Sequence, residues 1–522
     1  MASKTVDYSL YLVTDSTPAI LGEADLVDVM RQAVEGGATI VQYRDKTSDT
    51  AELVRIAKEL HKITSAAKVP LLINDRVDVA LAAGVEGVHV GQDDLDMKTA
   101  RKLLGSNAII GVTANSLEEA VAAARDGADY LGLGTVYATP TKSNAKSIIG
   151  TAGVQQILSG LASAGHSAVK TVCIGGVNAS NCQRILYQAS APEKALDGIA
   201  VVSAIIASST PRTATQQLQQ LIKTPPPFAP ASFNPSQTST PESIIARTPT
   251  IIQKLASTQP LCHNMTNLVV QNFAANVALA IGGSPIMSNN GLEAPDLANL
   301  KGSLVINMGT TTPETRSNHL AALAAYNAVG GPVLLDPVGA GATAQRREGV
   351  KALMAGGYFT VIKGNEGEIR TVAGASGFQQ RGVDSGTAQL DLAARAELVR
   401  SVARRERNIV LMTGEKDVVS DGTRVVAITN GHALLGAITG SGCALGTTIA
   451  AVLAVEREGD RLEAVVAGIL MYEIAAERAA EREDVRGPGT FIPAFLDELY
   501  TLRNLSRTGQ NEWAKSAKIE FL

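Results

Sequence analysis

The sequence predicts an α/β protein with two domains, an N-terminal (β/α)8 TIM barrel and a C-terminal α/β sandwich. Three observations carry that prediction. Eight short runs rich in Val, Ile and Leu recur between residues 9 and 205, most of them separated by helix-like stretches. A proline-rich segment at residues 224–241 then breaks the pattern. Beyond it, alternation resumes with a different spacing and ends in a long Ala-rich tail.

The first eight runs are SLYLVTD, ATIVQYR, PLLIND, GVHVGQ, AIIGVTA, YLGLGTVY, VKTVCIGG and GIAVVSAI. Leu26–Glu35, Ala51–Ser65 and Leu117–Asp126 are typical of the helices between them. Continuously apolar strands alternating with helices mark a parallel sheet covered by those helices. Eight of them fit a closed barrel; an open doubly wound sheet is the alternative. Polar residues gather just after the strands: Asp15, Arg44, Lys46, Asn74, Asp75, Gln92, Asp94, Thr113, Thr139 to Lys142, Gly175, Gly176 and Ser203. In a barrel all of these fall on the C-terminal face, where active sites are built.

Residues 224–241 contain six prolines among mainly Ser, Thr, Ala, Asn and Gln. Proline fixes φ and removes a donor, so an exposed, semi-extended linker is expected. The domains are then residues 1–223 and 242–522. In the second, SLVINMG, GPVLLDPVG, YFTVIKGNEGE, NIVLMTGEKD and RVVAITNG read as strands of a mainly parallel sheet. Helices are expected at Pro313–Ala328 and Ala388–Arg405, and near Gly446–Glu456 and Leu462–Arg482.

Composition excludes several classes. Hydrophobic residues are 45% and charged residues 18%, enough for packed cores. Lys plus Arg is 46 against 50 Asp plus Glu, a net charge of −4, with no basic excess for nucleic acid. Cys173, Cys182, Cys262 and Cys443 form neither a disulfide scaffold nor a CxxC zinc motif. Reduced thiols in the cytoplasm are expected. The N-terminus lacks a signal-peptide pattern. Val425 to Val455 carries no Asp, Glu, Lys or Arg, but Asn430, His432 and five glycines argue against a membrane span.

In YRDK, alternation puts Arg44 and Lys46 on one side of a strand, a pairing suited to a diphosphate or simply to solvated strand-end charges. LLIND and HVGQDD place Asn74, Asp75, Asp93 and Asp94 at neighbouring strand ends. Hard carboxylate oxygens without His or Cys suit Mg²⁺; helix capping is the competing role. Gly175 and Gly176 of IGGV open backbone N–H groups to a phosphate. Two anionic regions imply joining a diphosphate-bearing electrophile to a phosphorylated nucleophile, with pyrophosphate leaving.

YLVTD, QYRDK, IND, GVHVGQDD, GVTA, TPTK, IGGV and VSAI together resemble thiamine phosphate synthase over residues 8–210. The resemblance implies coupling of hydroxymethylpyrimidine diphosphate to thiazole phosphate by a dissociative route. It also implies pyrimidine diphosphate contacts at Gln42, Arg44, Lys46, Asn74, Thr113 and Lys142, with Mg²⁺ on Asp75 and Asp94. Thiazole phosphate contacts are implied at Thr139, Thr141, Gly175, Gly176, Val202 and Ser203. Thr113 stands where that family often has Ser; the hydroxyl is kept.

In the second half, TGSGCALGTT is a glycine-rich turn entering an apolar helix, which forms an anion hole. Cys443 sits in its first turn, where the helix field can lower a thiol pKa; a tight turn with a small buried Cys is the plainer reading. LDPVGAGAT presents Asp336, and IKGNEGE presents Lys363, Asn365, Glu366 and Glu368, a set suited to Mg²⁺-nucleotide phosphoryl transfer. No GxxxxGK[ST] is present. His263, Asn264, Thr266 and Asn267 of LCHNMTNLVV read as helix caps or as contacts to a small polar ring.

HNMTN, SPIMS, LDPVGAGAT, KGNEGEI, TGEKD, NGH, TGSGC and GPGTF resemble hydroxyethylthiazole kinase of the ribokinase-like superfamily over about residues 245–510. That likeness implies Cys443 as the alcohol-activating residue and Asp336 and Glu368 as Mg²⁺-linked carboxylates. It further implies ATP contacts at Lys363 and Thr413, thiazole contacts at Asn264, Met287 and Gly440, and a homo-oligomer with a trimeric kinase core. Many relatives carry Arg where Lys363 stands. A fused two-activity enzyme of thiamine synthesis is therefore expected, with small-molecule substrates and no nucleic acid or membrane partner. The competing readings are another phosphate-binding barrel fused to another small-molecule kinase, and a catalytically dead sensor of thiamine precursors.

Overall fold

The computed structural model describes residues 5–139, 148–229, 239–374 and 390–522. Thr141 and Lys142 lie outside the described residues. The chain separates into two compact units, Met1–Pro226 and Pro227–Leu522.

The first unit carries eight strands, β1 (Leu10–Val13), β2 (Ile40–Tyr43), β3 (Leu71–Asn74), β4 (Gly87–Val90), β5 (Ile109–Ala114), β6 (Tyr130–Gly134), β7 (Lys170–Ile174) and β8 (Gly198–Val201). Every neighbouring pair is parallel, and β8 returns to β1, with Tyr11 opposite Ala200. The sheet is closed, which excludes the open doubly wound alternative. Strand residues such as Leu10, Leu12, Val41, Leu71 and Val88 face outward into a core shared with the helices. The alternate positions Tyr11, Val13, Ile40, Leu72 and Tyr130 fill the barrel interior.

Asp25, Asp49, Asp96 and Ser116 each accept a backbone N–H in the first turn of a helix. Asp75 and Asp94 do not do this for the helices that follow them. The Val77–Ala83 helix starts after Arg76 without a side-chain cap, and Met97–Leu104 is capped by Asp96. The capping alternative for Asp75 and Asp94 is thereby removed.

The second unit has one nine-stranded sheet. Its strands are β9 (Leu261–Met265), β10 (Ser284–Ile286), β11 (Ser303–Asn307), β12 (Val333–Asp336), β13 (Val361–Asn365), β14 (Ile409–Thr413), β15 (Asp417–Ser420), β16 (Val425–Ile428) and β17 (Ile519–Phe521). Their order is β10-β9-β11-β12-β13-β14-β15-β16-β17, parallel through β14 and antiparallel beyond it. Alternate residues of one strand feed opposite cores. Val305, Leu334, Val361 and Leu411 meet the helices Pro241–Thr258, Ser441–Val455, Arg461–Ala480 and Pro488–Arg507. Leu304, Val333, Ile362 and Val410 meet Pro313–Ala328, Ala344–Gly356 and Leu392–Glu406. The result is a three-layer α/β arrangement around a mixed sheet.

Several expectations are corrected. LCHNM forms strand β9 rather than a helix cap, and the Gln271–Ile281 helix starts after Val270 without a side-chain cap. The helix expected from Gly446 begins at Ser441, because the small residues of GSGC fit a first turn. Within the proline-rich segment, Phe228 is buried and stacks on Tyr358 at 4.6 Å. An aromatic ring among prolines gains more from burial than from water, so this part is docked on the second unit. No helix among the described residues is long and apolar enough to cross a membrane.

Candidate functional site

The C-terminal end of the barrel opens into a cavity of about 150 Å³. Gln42, Arg44, Asn74, Thr113, Thr139, Gly175, Gly176, Val202 and Ser203 all line it. The C-terminal ends of six different strands and the loops after them bring these residues together, as the barrel reading expects. Gly175 and Gly176 have φ of +105° and +68°, and a Cβ on either would strike Thr135 or Tyr137. Only glycine serves there, and the backbone is left open toward the cavity.

Arg44 is aimed by Asp15, whose carboxylate accepts from its Nη1 at 2.8 Å. Lys46 Nζ rests on Asp75 Oδ2 at 2.5 Å. Asp75 has φ +61°, a conformation that Asp tolerates better than most residues. Asp94 accepts the Gly91 N–H at 2.8 Å, and burial together with the adjacent Asp75 carboxyl raises its pKa. Two carboxyl groups pressed together favour a divalent cation between them. Among the described residues no cluster of three or more His, Cys, Asp or Glu forms. Among the described residues Asp75 and Asp94 are the paired carboxylates here, which fits Mg²⁺, an ion that keeps water and phosphate in its remaining positions.

Below this rim the expected residues Gln42 and Thr113 are linked through Tyr11, Tyr130 and His89, which the sequence reading missed. Gln42 Nε2 donates to Tyr11 Oη at 2.9 Å, and the Tyr11 and Tyr130 hydroxyls lie 2.7 Å apart. His89 Nδ1 is 2.7 Å from Tyr130 Oη, and its Nε2 is 2.8 Å from Thr113 Oγ1. Gly111 and Gly132 make the room: a Cβ on Gly111 would overlap the Tyr130 ring, and one on Gly132 would touch His89 Cε1 at 3.0 Å. Glycines inside apolar strands were the available signal.

The second unit gathers its site where β11, β12 and β13 end against the Ser441–Val455 helix. Lys363 Nζ donates to Asp336 Oδ2 at 3.0 Å and to the Gly442 carbonyl at 2.8 Å. Asn307 Nδ2 donates to the same Asp336 oxygen at 3.0 Å, and Asn267 Nδ2 donates to Asn307 Oδ1 at 3.0 Å. Asn267 also reaches Cys443 Sγ at 3.7 Å. A ring of contacts therefore runs from Cys443 through Asn267, Asn307, Asp336 and Lys363 back to the glycine-rich turn. Asn307 was not anticipated; it lies in a strand run otherwise read as apolar.

Asp336 is buried, and its Oδ1 has no hydrogen-bond partner. Burial raises its pKa while Lys363 opposes the rise. An orphaned buried carboxylate oxygen is what a metal would satisfy, so Asp336 fits Mg²⁺. Glu368 accepts N–H bonds from Gly339 and Asn365, both at 2.8 Å, and burial and the Asp336 charge push it up to about 7. Both its oxygens are already engaged, so it shapes the Gly339 turn beside Asp336.

Gly440 caps the helix at φ +84°, and a Cβ there would sit 2.5 Å from Val270. Ala444 is the first helix amide to bond back, to Gly440 O at 2.9 Å, which leaves the amides of Ser441 to Cys443 as anion donors. Burial, followed by the Asp336 charge, pushes the Cys443 thiol up to about 11. This direction is opposite to the lowering expected from the helix field. Asn264 accepts from Thr447 Oγ1 at 2.7 Å and donates to Cys262 O at 3.0 Å, bracing that helix on β9. Met287 follows β10 half-buried, and Thr413 ends β14 opposite Asn365.

Residues 10–205 match the family model described as thiamine monophosphate synthase, and residues 252–504 match the hydroxyethylthiazole kinase family. The chain is 44% identical over 523 residues, 99% of both proteins, to a "probable thiamine biosynthetic bifunctional enzyme" of Schizosaccharomyces pombe. It is 37% identical over 545 residues, 98% of both, to the "thiamine biosynthetic bifunctional enzyme" of Saccharomyces cerevisiae. A hydroxyethylthiazole kinase of Haemophilus influenzae is 44% identical over 251 residues, 48% of this chain and 93% of its own length.

Proposed function

Because the chain belongs to the family of thiamine biosynthetic bifunctional enzymes, with a thiamine phosphate synthase barrel and a C-terminal hydroxyethylthiazole kinase, we propose the following division of labour among its residues. The observation that carries it is the convergence of nine sequence-read positions on one barrel cavity, beside the Lys46–Asp75–Asp94 cluster.

In the second unit, the amides of the glycine-rich turn receive the phosphoryl group passing from ATP to hydroxyethylthiazole. Lys363 and Thr413 contact the nucleotide, while Met287, Gly440 and the strand carrying Asn264 frame the thiazole. Cys443 meets the substrate alcohol as a neutral thiol, since its raised pKa leaves little thiolate at neutral pH. Preorganised backbone donors then contribute more than a base. Mg²⁺ near Asp336 and Glu368 would neutralise phosphate charge.

In the barrel, Gln42, Asn74 and Thr113 hold the pyrimidine, and a cavity of about 150 Å³ has room for one six-membered ring. Arg44 and Lys46, with Lys142, take the diphosphate, and Mg²⁺ on Asp75 and Asp94 would share its charge. Pyrophosphate departs first, and the thiazole nitrogen attacks the resulting pyrimidine-stabilised cation. Thr139 and Thr141, with Gly175, Gly176, Val202 and Ser203, hold the thiazole phosphate. This division needs no protein nucleophile in the barrel.

The second unit is assigned as ribokinase-like, supported by its three layers and its nine-stranded sheet. A cytoplasmic homo-oligomer with a trimeric kinase core is also proposed. It is supported by the exposed apolar side chains Leu268, Val269 and Leu292 close in sequence to Asn267 and Met287. The decisive experiment incubates the full chain with hydroxyethylthiazole, ATP, hydroxymethylpyrimidine diphosphate and Mg²⁺, and follows products by mass spectrometry. Thiazole phosphate and then thiamine phosphate are expected. Accumulation of the first without the second would remove the barrel assignment.

A further inference from the structure

We propose that Asn181 is the positioning residue of the thiazole phosphate cradle. Its side-chain amide holds the Gly176 carbonyl away from the phosphate, so that the Val177 N–H faces the anion. The inference rests on the functional reading above and deepens it by naming what sets the polarity of that cradle.

Gly175 and Gly176 open the backbone because they lack a Cβ, and the same lack leaves their peptide planes free to turn over. A trans peptide points its N–H and its C=O in opposite directions. Turned one way, the stretch from Gly175 to Val177 offers hydrogen-bond donors to an anion. Turned the other way, it offers carbonyl lone pairs that repel one. Glycine alone therefore does not make a phosphate site; each plane must be fixed by a partner.

The first plane is fixed by the sheet. Val136 N–H donates to Ile174 O and Tyr137 N–H donates to Gly175 O, both at 3.0 Å, so the β6–β7 pairing runs past the strand ends. The second plane is fixed by a side chain. Asn181 Nδ2 donates to Gly176 O at 2.8 Å, and Asn181 Oδ1 accepts the Asn178 N–H at 2.9 Å. Those two bonds settle which end of the amide faces Gly176. Asn178 Nδ2 adds a longer contact to the same carbonyl at 3.3 Å.

Asn181 stands at the N-cap of the Cys182–Gln188 helix, where an Asn ordinarily accepts from the helix's own amides, yet it makes no such bond. Its side chain is turned to the cradle instead. With both carbonyls engaged, the N–H groups of Gly176 and Val177 point away from those partners. Among the described residues neither N–H has a hydrogen-bond partner. Gly175, Gly176 and Val177 all line the cavity. Successive open amides of this kind suit an anion.

The test measures coupling by the full-length chain, supplied with thiazole phosphate and hydroxymethylpyrimidine diphosphate, for the unmutated protein and for Asn181→Ala. The variant is expected to raise the KM for thiazole phosphate by about tenfold or more, because the Gly176 carbonyl is then free to face the anion. Its KM for hydroxymethylpyrimidine diphosphate and its kcat should stay within about threefold of the native values. A merely structural role would not divide the two substrates in this way. An unmoved KM for thiazole phosphate, an equal rise for both substrates, or a loss carried mainly by kcat would overturn the proposal.

On the unmutated chain, binding of thiazole phosphate should move the Val177 amide proton downfield in the NMR spectrum. A Val177 amide that does not respond would also overturn the proposal, whether or not the variant folds. A wild-type chain that makes no thiamine phosphate would instead overturn the functional reading beneath it.

Discussion

Lys363 balances Asp336 in a place where neither meets water. Lys363→Met should leave the carboxylate without its counter-charge and lower the stability of the second unit by about 3–5 kcal/mol, read by thermal unfolding. Cys443→Ser keeps a neutral donor at the same position. Its kinase kcat is expected to stay within about tenfold of the native value, with a pH-rate profile free of a thiolate limb below pH 9. A large loss that tracks a thiolate titration near neutrality would restore the base role. Coupling from supplied thiazole phosphate should be unchanged in that variant. Asp75→Ala should do the opposite: thiamine phosphate formation is lost, while thiazole phosphorylation continues at the native rate. The rim residues were legible because charge directly after an apolar strand has few structural uses. Tyr11, His89, Tyr130 and Asn307 were not, because an inward position within a strand looks like core whether it carries a methyl group or a hydroxyl.

Between elements, the β14–β15 turn is tied to the Arg461–Ala480 helix by a pair of carboxyl groups. Asp417 Oδ2 and Glu473 Oε2 are buried with no N–H or O–H donor, and the two groups lie against one another. One shared proton supplies the missing bond. Burial raises Asp417 from 3.8 to about 6 and Glu473 well above its usual range. Below pH 3.8 the folded and unfolded chains are equally protonated at Asp417. From there to about 6 the unfolded chain loses a proton that the folded one keeps, so stability falls as pH rises through this window. The loss is complete above it and is on the order of 3 kcal/mol. Glu473→Gln keeps a donor without the charge; urea unfolding should show a flatter pH dependence and higher stability at pH 8. Gly440→Ala pushes a methyl group toward Val270 in a left-handed turn. It should cost the second unit about 1–3 kcal/mol and reduce kinase activity more than coupling. Elements with a clear period, such as Pro313–Ala328, were legible to the residue. The three-residue strands β10 and β17 are too short to leave a pattern, and β9 was hidden by His263 and Asn264, polar residues satisfied inside the sheet.

At the scale of the whole molecule, the division of the chain at Pro226 and Pro227 combines with the docked Phe228 to give a sharp expectation. Cleavage before Phe228 should leave two fragments, each with its own activity. A second fragment beginning beyond Phe228 should unfold at lower temperature, because Tyr358 loses its stacked partner and the Arg461 guanidinium loses the Phe228 carbonyl at 2.8 Å. Proline content alone marked this stretch as a spacer; only the packing shows that one aromatic ring belongs to a core. The two sheets also differ in how they end. A barrel that closes on itself offers no unpaired strand, so the first unit has nothing for a foreign strand to extend. The second sheet ends on β10 and β17. β10 is three residues long with Pro285 at its centre, which has no N–H to offer. Under stress or at high concentration, any self-association by strand addition should therefore start from the β17 side of the second unit, and aggregation should follow the unfolding of that unit alone.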